Sequence, residues 1–203
     1  MEYLDIYDEQ GNHIGTEDRN VVHRDALWHK TVHCWLYDKI GNIFFQIRAE
    51  EGTLYTTASG HVDAGETVKQ GFGREIKEEI GIDVDYESAT LIEVVNFVMD
   101  RPKSDGTVFK DRAFANVFAC IFDGPLNSFN FDPNELKGLV RVNAKDTLEL
   151  LTNESGTVKG TIIDVNNNIE ERDIGFNEFL VNAHETAIGK YGAVLKKVIE
   201  LQN

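Results

Sequence analysis

The 203-residue chain reads as an α+β or α/β fold. Three observations carry that reading. Short runs rich in β-branched and aromatic residues recur along the chain, one amphipathic helical pattern interrupts them near residue 70, and a second long helical pattern closes the chain. One enlarged domain over 1–203 accounts for the length. Within it we expect an N-terminal hairpin extension at 1–28, a core at 29–151, and a C-terminal hairpin or flap followed by a helix at 152–203.

Residues 2–7 and 13–16 flank the polar, glycine-containing turn 8–12 and predict a hairpin, with a link through Arg24 behind it. Runs 29–37 and 42–49, separated by 38–41, predict a second hairpin. Val68, Phe72, Ile76 and Ile80 recur every four positions, the stripe that a helix buries against a sheet. Gly71 and Gly73 inside that helix each cost about 1 kcal/mol relative to Ala, a cost that close packing would offset. Strands are expected at 91–99, 113–122 and 139–142, with a polar loop at 100–111. Residues 144–151 predict another helix. The final helix, 176–201, carries Phe176, Phe179, Leu180, Ala183, Ala187, Tyr191, Val194, Leu195 and Val198 at helical spacing, a stripe that suits core packing. The weakly alternating 157–173 predicts a small hairpin or a mobile flap.

The densest chemistry lies between Gly60 and Ile82. Gly60, Glu66, Arg74, Glu75, Glu78, Glu79 and Gly81 fill every fixed place of the spacing G-x5-E-x7-R-E-U-x-E-E-x-G-U, where U is bulky and apolar. Chance would produce this on the order of once in 10^8 windows, so the match is specific. Glu75, Glu78 and Glu79 stand three and four residues apart on one helix, where like charges repel by a few tenths of a kcal/mol per pair. A divalent cation reverses that penalty. Mg2+ takes oxygen ligands and combines one or two carboxylates with substrate phosphates. Alone, such a triplet would read as a solvated acidic face; the complete loop and helix around it favour the metal.

This segment is the Nudix box, and the chain resembles the Nudix hydrolases, enzymes that cleave a diphosphate linked to another group. The resemblance implies a mixed sheet packed between helices, an α/β sandwich. It implies Mg2+, with Mn2+ as a substitute, held by Glu75, Glu78 and Glu79 and the carbonyl of Gly60. It also implies that Glu66 pairs with Arg74 to brace the loop, making Glu66, Arg74 and Gly81 structural. Arg48 matches an arginine that relatives direct at phosphate, and its guanidinium suits paired oxygen contacts. The segment 132–135 resembles a late acidic segment that can supply a further ligand or base, here Glu135. The expected reaction is attack of metal-activated water on one phosphorus of a diphosphate, in a nucleoside diphosphate derivative or a related small molecule. Glu75 is preferred over Glu135 as the base, because Glu135 reaches the site only if its segment folds over the box helix.

The N-terminal region resembles isopentenyl-diphosphate isomerase, a relative of the same fold, in Ile14-Gly15-Thr16, Val22-His23-Arg24, Leu27-Trp28-His29 and Gln46-Ile47-Arg48. That enzyme moves protons with a cysteine and a glutamate. The corresponding positions here are Ser59 and Ala113, which argues for hydrolysis over isomerisation. The isomerase's histidine-rich metal site is partly echoed by His23, His29 and His61, whose first spacing is one residue short; hydrogen-bonded structural roles are expected for them. His33 and His184 carry no signal. A second rival is a noncatalytic nucleotide-sensing protein, but such proteins commonly lose box carboxylates and this chain keeps them all.

Twenty basic and 35 acidic residues give a net charge of −15, with pI near 4.7. That balance disfavours nucleic-acid polymers and anionic membranes as partners. A small diphosphate fits only if metal ions and local cations supply positive charge; Arg101, Lys103, Lys110 and Arg112 form one basic group, diluted by Asp100, Asp105 and Asp111. Cys34 and Cys120 lack zinc spacing and predict buried free thiols in a reducing cytosol. With neither leader nor apolar span, the expectation is a soluble cytoplasmic protein; homodimerisation is left open.

Overall fold

The computed structural model describes residues 2–49, 52–103, 105–179 and 187–202. The opening hairpin pairs β1 (Tyr3–Tyr7) with β2 (His13–Asp18) as a separate two-stranded sheet. Its turn is held by the Asp8 carboxylate, which accepts from the amides of Gln10 and Asn12. The stretch expected as a link is a helix, α1 (Arg19–Asp25), whose N-cap Asp18 accepts from the Asn20 amide. Two turns are too short to show a helical period; the cap and the burial of Val22 and His23 fix it instead.

The remaining strands form one nine-stranded mixed sheet. They are β3 (His29–Tyr37), β4 (Asn42–Arg48), β5 (Leu54–Tyr55), β6 (Ala58–His61), β7 (Thr90–Pro102), β8 (Val108–Ile121), β9 (Leu136–Asn143), β10 (Thr157–Asp164) and β11 (Ile169–Gly175). The order is β11-β10-β9-β4-β3-β8-β7, with β5 beside β4 and β6 beside β3. Among the described strands only the neighbours β3 and β8 run parallel. Alternate residues along β3 and β4 face opposite layers. Cys34, Leu36 and Phe44 meet Phe72, Ile76 and Ile80 of α2 (Val68–Ile80), while Trp35, Tyr37 and Phe45 meet Tyr191, Leu195 and Val198 of α4 (Ala187–Leu201). This is the expected α/β sandwich, with α3 (Ala144–Asn153) beside α4.

Three expectations change. Most of the expected loop 100–111 is strand, because β7 and β8 stay paired out to Pro102 and Val108. Cross-strand contacts hold this polar extension: Arg112 bonds Asp100 at 2.7 Å, and Arg101 lies 5.6 Å from the Phe109 ring centre. Of the two alternatives at 157–173 the hairpin holds and the flap falls: β10 pairs with β11, and also with β9, burying Val158, Ile162 and Ile163. The helix expected at 176–201 opens instead as a single tight turn, Phe176–Glu178, after which Phe179 bridges to Leu54; Leu180, Ala183 and His184 lie outside the described residues. Cys34 and Cys120 are free and buried, their sulfurs 3.6 Å apart. Among the described residues no helix is long and apolar enough to cross a membrane.

Candidate active site

α2 starts at Thr67, whose hydroxyl caps the Gln70 amide in a reciprocal capping box, and ends at Gly81 in the left-handed region, φ 73°. A side chain at Gly81 would also collide with the Asn130 backbone. Gly71 is pressed against Val62, whereas Gly73 faces open space, so packing offsets the helical cost of only the first.

Arg74 is the hub between loop and helix. Its Nε and Nη2 donate to the two carboxylate oxygens of Glu66 at 3.0 and 2.9 Å, and Nη2 also donates to the His61 carbonyl at 2.9 Å. Nη1 reaches Glu75 at 2.8 Å and Glu78 at 3.1 Å. The Glu66 carboxyl is held below its ordinary value by the Arg74 hydrogen bonds. Arg74 therefore ties the glycine loop to the carboxylates it faces.

Gly60 lies so close to Glu75 that a Cβ there would fall within the carboxylate. Glu75 is mostly buried, and burial raises its pKa despite Arg74. Glu79 is 8% exposed and accepts from the Ser59 amide at 3.0 Å. Burial pushes its carboxyl well above the ordinary value, with Glu75 and Glu135 adding repulsion and Ser59 and Arg48 opposing it. Glu78 stands at the rim, its side chain 60% exposed.

The segment before β9 is folded over the end of the box helix: the amides of Asn130 and Asp132 donate to the carbonyls of Ile80 and Glu79, both at 3.0 Å. Glu135 thereby joins Gly60, Glu75, Glu78 and Glu79 in one cleft of about 480 Å³. Arg48 and Arg101 line an adjoining cavity of about 360 Å³ that shares Ser59, Glu79 and Glu135 with the cleft. Arg112 points elsewhere, into its pair with Asp100. Sequence reasoning missed Glu2 and Arg19, which reach the cleft from the N-terminal hairpin and α1 and hold each other at 2.9 Å. Nothing local in the sequence signals a contact across that distance.

A second cluster adjoins the cleft through His61. One ring nitrogen each of His23, His29 and His61 lies within 4.8 Å of the others. Each Nδ1 is committed outward: His23 to the Lys110 carbonyl and His29 to the Leu27 carbonyl at 3.1 Å, His61 to the Glu2 carboxylate at 3.2 Å. A carbonyl only accepts, so His23 and His29 carry their proton on Nδ1 and turn the Nε2 lone pair inward. The Nε2 atoms of His23 and His61 face each other at 3.1 Å. Burial pushes His23 down to about 4 and His29 to about 3, so neither keeps an extra proton near neutrality. His29 Nε2 and Asp111 Oδ1, 3.5 Å apart, are buried with no hydrogen-bond partner among the described residues. The histidines are hydrogen-bonded as expected, but their inner nitrogens also converge, and Asp111, expected only as a loop acid diluting the nearby basic residues, lies beside His29.

The NUDIX domain profile matches residues 27–159. A Nudix hydrolase of Clostridium acetobutylicum is 30% identical over 161 residues, 75% of either chain. An isopentenyl-diphosphate Delta-isomerase of Cutibacterium acnes is 26% identical over 155 residues, covering 73% of this chain and 77% of that one. Among solved structures, a Deinococcus radiodurans protein superposes with TM-score 0.56 at 19% identity, over 75% of this chain and 89% of that chain, which is a likeness of fold. The profile spans the sheet strands and box helix that build the cleft, and the chain belongs to the Nudix hydrolase family.

Proposed function

We propose that this Nudix hydrolase cleaves the diphosphate linkage of a small molecule, a nucleoside diphosphate derivative or a related compound, with Mg2+ or Mn2+ as cofactor. The observation that carries the reading is the arrangement of Glu75, Glu78, Glu79 and Glu135 on one cleft, Glu79 buried and Glu75 mostly so, where Arg74 and Arg19 line the same space and Arg48 the adjoining one. Burial raises the pKa of Glu75 and Glu79, a penalty on their ionised forms that a divalent cation would relieve. The residues therefore fit a divalent ion, held by Glu75, Glu78 and Glu79 with the Gly60 carbonyl; when bound it neutralises phosphate charge and acidifies water.

The protein's own groups divide the remaining work. Arg74 fixes the Glu75 and Glu78 carboxylates and the loop bearing Gly60. Arg48, with Arg101, offers guanidinium donors to phosphate oxygens on the side of the cleft away from the hairpin. The proton of the attacking water passes to Glu135. Sequence reasoning preferred Glu75 because Glu135 needed its segment to fold over the helix; that segment is docked there, while Glu75 is tied to Arg74. Two free, buried thiols suit a reducing cytoplasm.

The histidine cluster supports a second, nitrogen-rich metal position for a first-row transition ion, with Asp111 as a further ligand. The Nε2 atoms of His23 and His61, 3.1 Å apart, are joined either by a proton carried on one of them or by a cation between them. Elemental analysis of the purified protein tests this.

Isomerisation is disfavoured by Ala113, 1% exposed and opposite His29 in the β3–β8 register, where a proton-transfer carboxylate would be needed. A screen of diphosphate compounds with Mg2+ or Mn2+, read as phosphate released by a coupled phosphatase, should yield turnover. Isopentenyl diphosphate should yield no dimethylallyl isomer. Isomer formation without any hydrolysis would overturn the proposal.

A further inference from the structure

Beyond the box cleft lies a cavity of about 320 Å³ between α1 and the tip of the β7–β8 hairpin, and Arg19 lines both spaces. The two cavities have opposite electrostatic character. Seven carboxylates line the box cleft: Glu2, Asp63, Glu75, Glu78, Glu79, Asp132 and Glu135. Among the described residues, none lines the second cavity, where Arg19, Arg24 and Lys103 meet beside the Asn20 amide. In a chain with 35 acidic and 20 basic residues, a recess with three cations and no acid departs from the overall charge.

The cations are also positioned. Phe109 stacks on His23 with ring centres 4.2 Å apart, which anchors the hairpin tip to α1. The Lys103 ammonium lies 5.6 Å from the centre of that ring, within range of a cation–π contact, and makes no ion pair among the described residues. The nearby acids are already engaged: Glu2 with Arg19, Asp25 with Arg24, and Asp105 with Thr107. The Arg24–Asp25 pair is exposed and the Arg19–Glu2 pair half-exposed, so each contributes little that a doubly charged anion would have to replace.

We propose that this cavity is a phosphate subsite. It holds a phosphate group that the substrate carries apart from the diphosphate under attack. A phosphomonoester brings nearly two charges and three acceptor oxygens, enough for two guanidinium forks and an ammonium together, whereas one carboxylate would leave cations unmatched. Arg19 stands where the two spaces meet and contacts both ends of such a molecule. The proposal deepens the diphosphohydrolase reading by naming its substrate class: small molecules with a diphosphate and a separate phosphate.

The test has two arms. In the first, inorganic phosphate is titrated into the metal-free protein while backbone amide NMR shifts are followed. The amides of Asn20, Thr107 and Phe109 should move together, and the double variant R24A/K103A should weaken binding roughly tenfold. Unmoved amides, or equal affinity in the variant, would overturn the subsite whether or not the protein hydrolyses anything. In the second arm, the best compound from the diphosphate screen is compared between wild type and the same variant. The subsite predicts a rise in KM of roughly tenfold with little change in kcat. Phosphate binding in the first arm with an unchanged KM in the second would overturn the link to substrate. A screen with no turnover at all would count against the diphosphohydrolase reading and leave the first arm to decide the subsite.

Discussion

The carboxylate cleft and the histidine cluster share His61 and are built on opposite principles. Three of the cleft's acids come from one helix at spacings of three and four, face solvent in part, and accumulate charge. The cluster brings His61 of β6 to His23 of α1 and His29 of β3 across the fold, and burial keeps His23 and His29 neutral. A charged, wet group of oxygens suits a hard cation that keeps water; a dry group of imidazoles suits a softer one. Local spacing can therefore disclose the first kind of site and not the second.

The largest expected effect separates roles within the cleft. Glu79→Gln should abolish turnover and weaken Mg2+ binding together, whereas Glu135→Gln should cut kcat by roughly 10²–10⁴-fold with metal affinity nearly kept. Titration calorimetry with Mg2+, alongside steady-state kinetics, distinguishes them. If Glu75→Gln instead shows the base pattern and Glu135→Gln loses metal, the two roles are exchanged.

Breaking the other half of the comparison should leave the first standing. His29→Ala removes a fully buried ligand nitrogen; elemental analysis should find the transition ion lost while Mg2+ affinity at the box is unchanged. Equal metal content in wild type and variant would show the histidines to be structural only.

The two regions should also titrate in opposite senses. Glu2, held at about 2 rather than its ordinary 4.5 chiefly by its hydrogen bond to His61, contributes stability above pH 4.5 that is lost as pH falls toward 2. Glu79 has a raised pKa, so its protonated form is favoured in the fold. In metal-free protein, stability should fall as pH climbs above 4.5 toward that raised value. Urea melts from pH 3 to 8 should show Glu2→Gln flattening the acid limb and Glu79→Gln flattening the other, with Mg2+ restoring stability to wild type at neutral pH. Identical profiles for all three proteins would refute the opposition.

The smallest effect concerns the two glycines of the box helix. Gly73→Ala should stabilise by about 0.5–1 kcal/mol, since open space meets the new methyl. Gly71→Ala should not, because Val62 crowds it. Thermal melts of the pair measure the difference.

By itself the sequence determined the α+β class, the box helix and the three carboxylates upon it, because helical period and fixed spacing are local and survive translation into space unchanged. It also suggested Glu66 with Arg74, which lie eight residues apart across one loop and helix start. Tertiary structure alone decided the rest. Residues 100–111 look like loop because of their charges; pairing between β7 and β8 makes 100–102 and 108–111 strand, and the β3–β8 register brings Asp111 to His29. Glu135 enters the cleft because the amides of Asn130 and Asp132, far beyond the box in sequence, bond to the carbonyls ending its helix. Glu2 and Arg19 arrive through a hairpin whose own sequence carries no sign of where it docks. Convergence of distant side chains is set by packing and register, and neither leaves a period in the sequence.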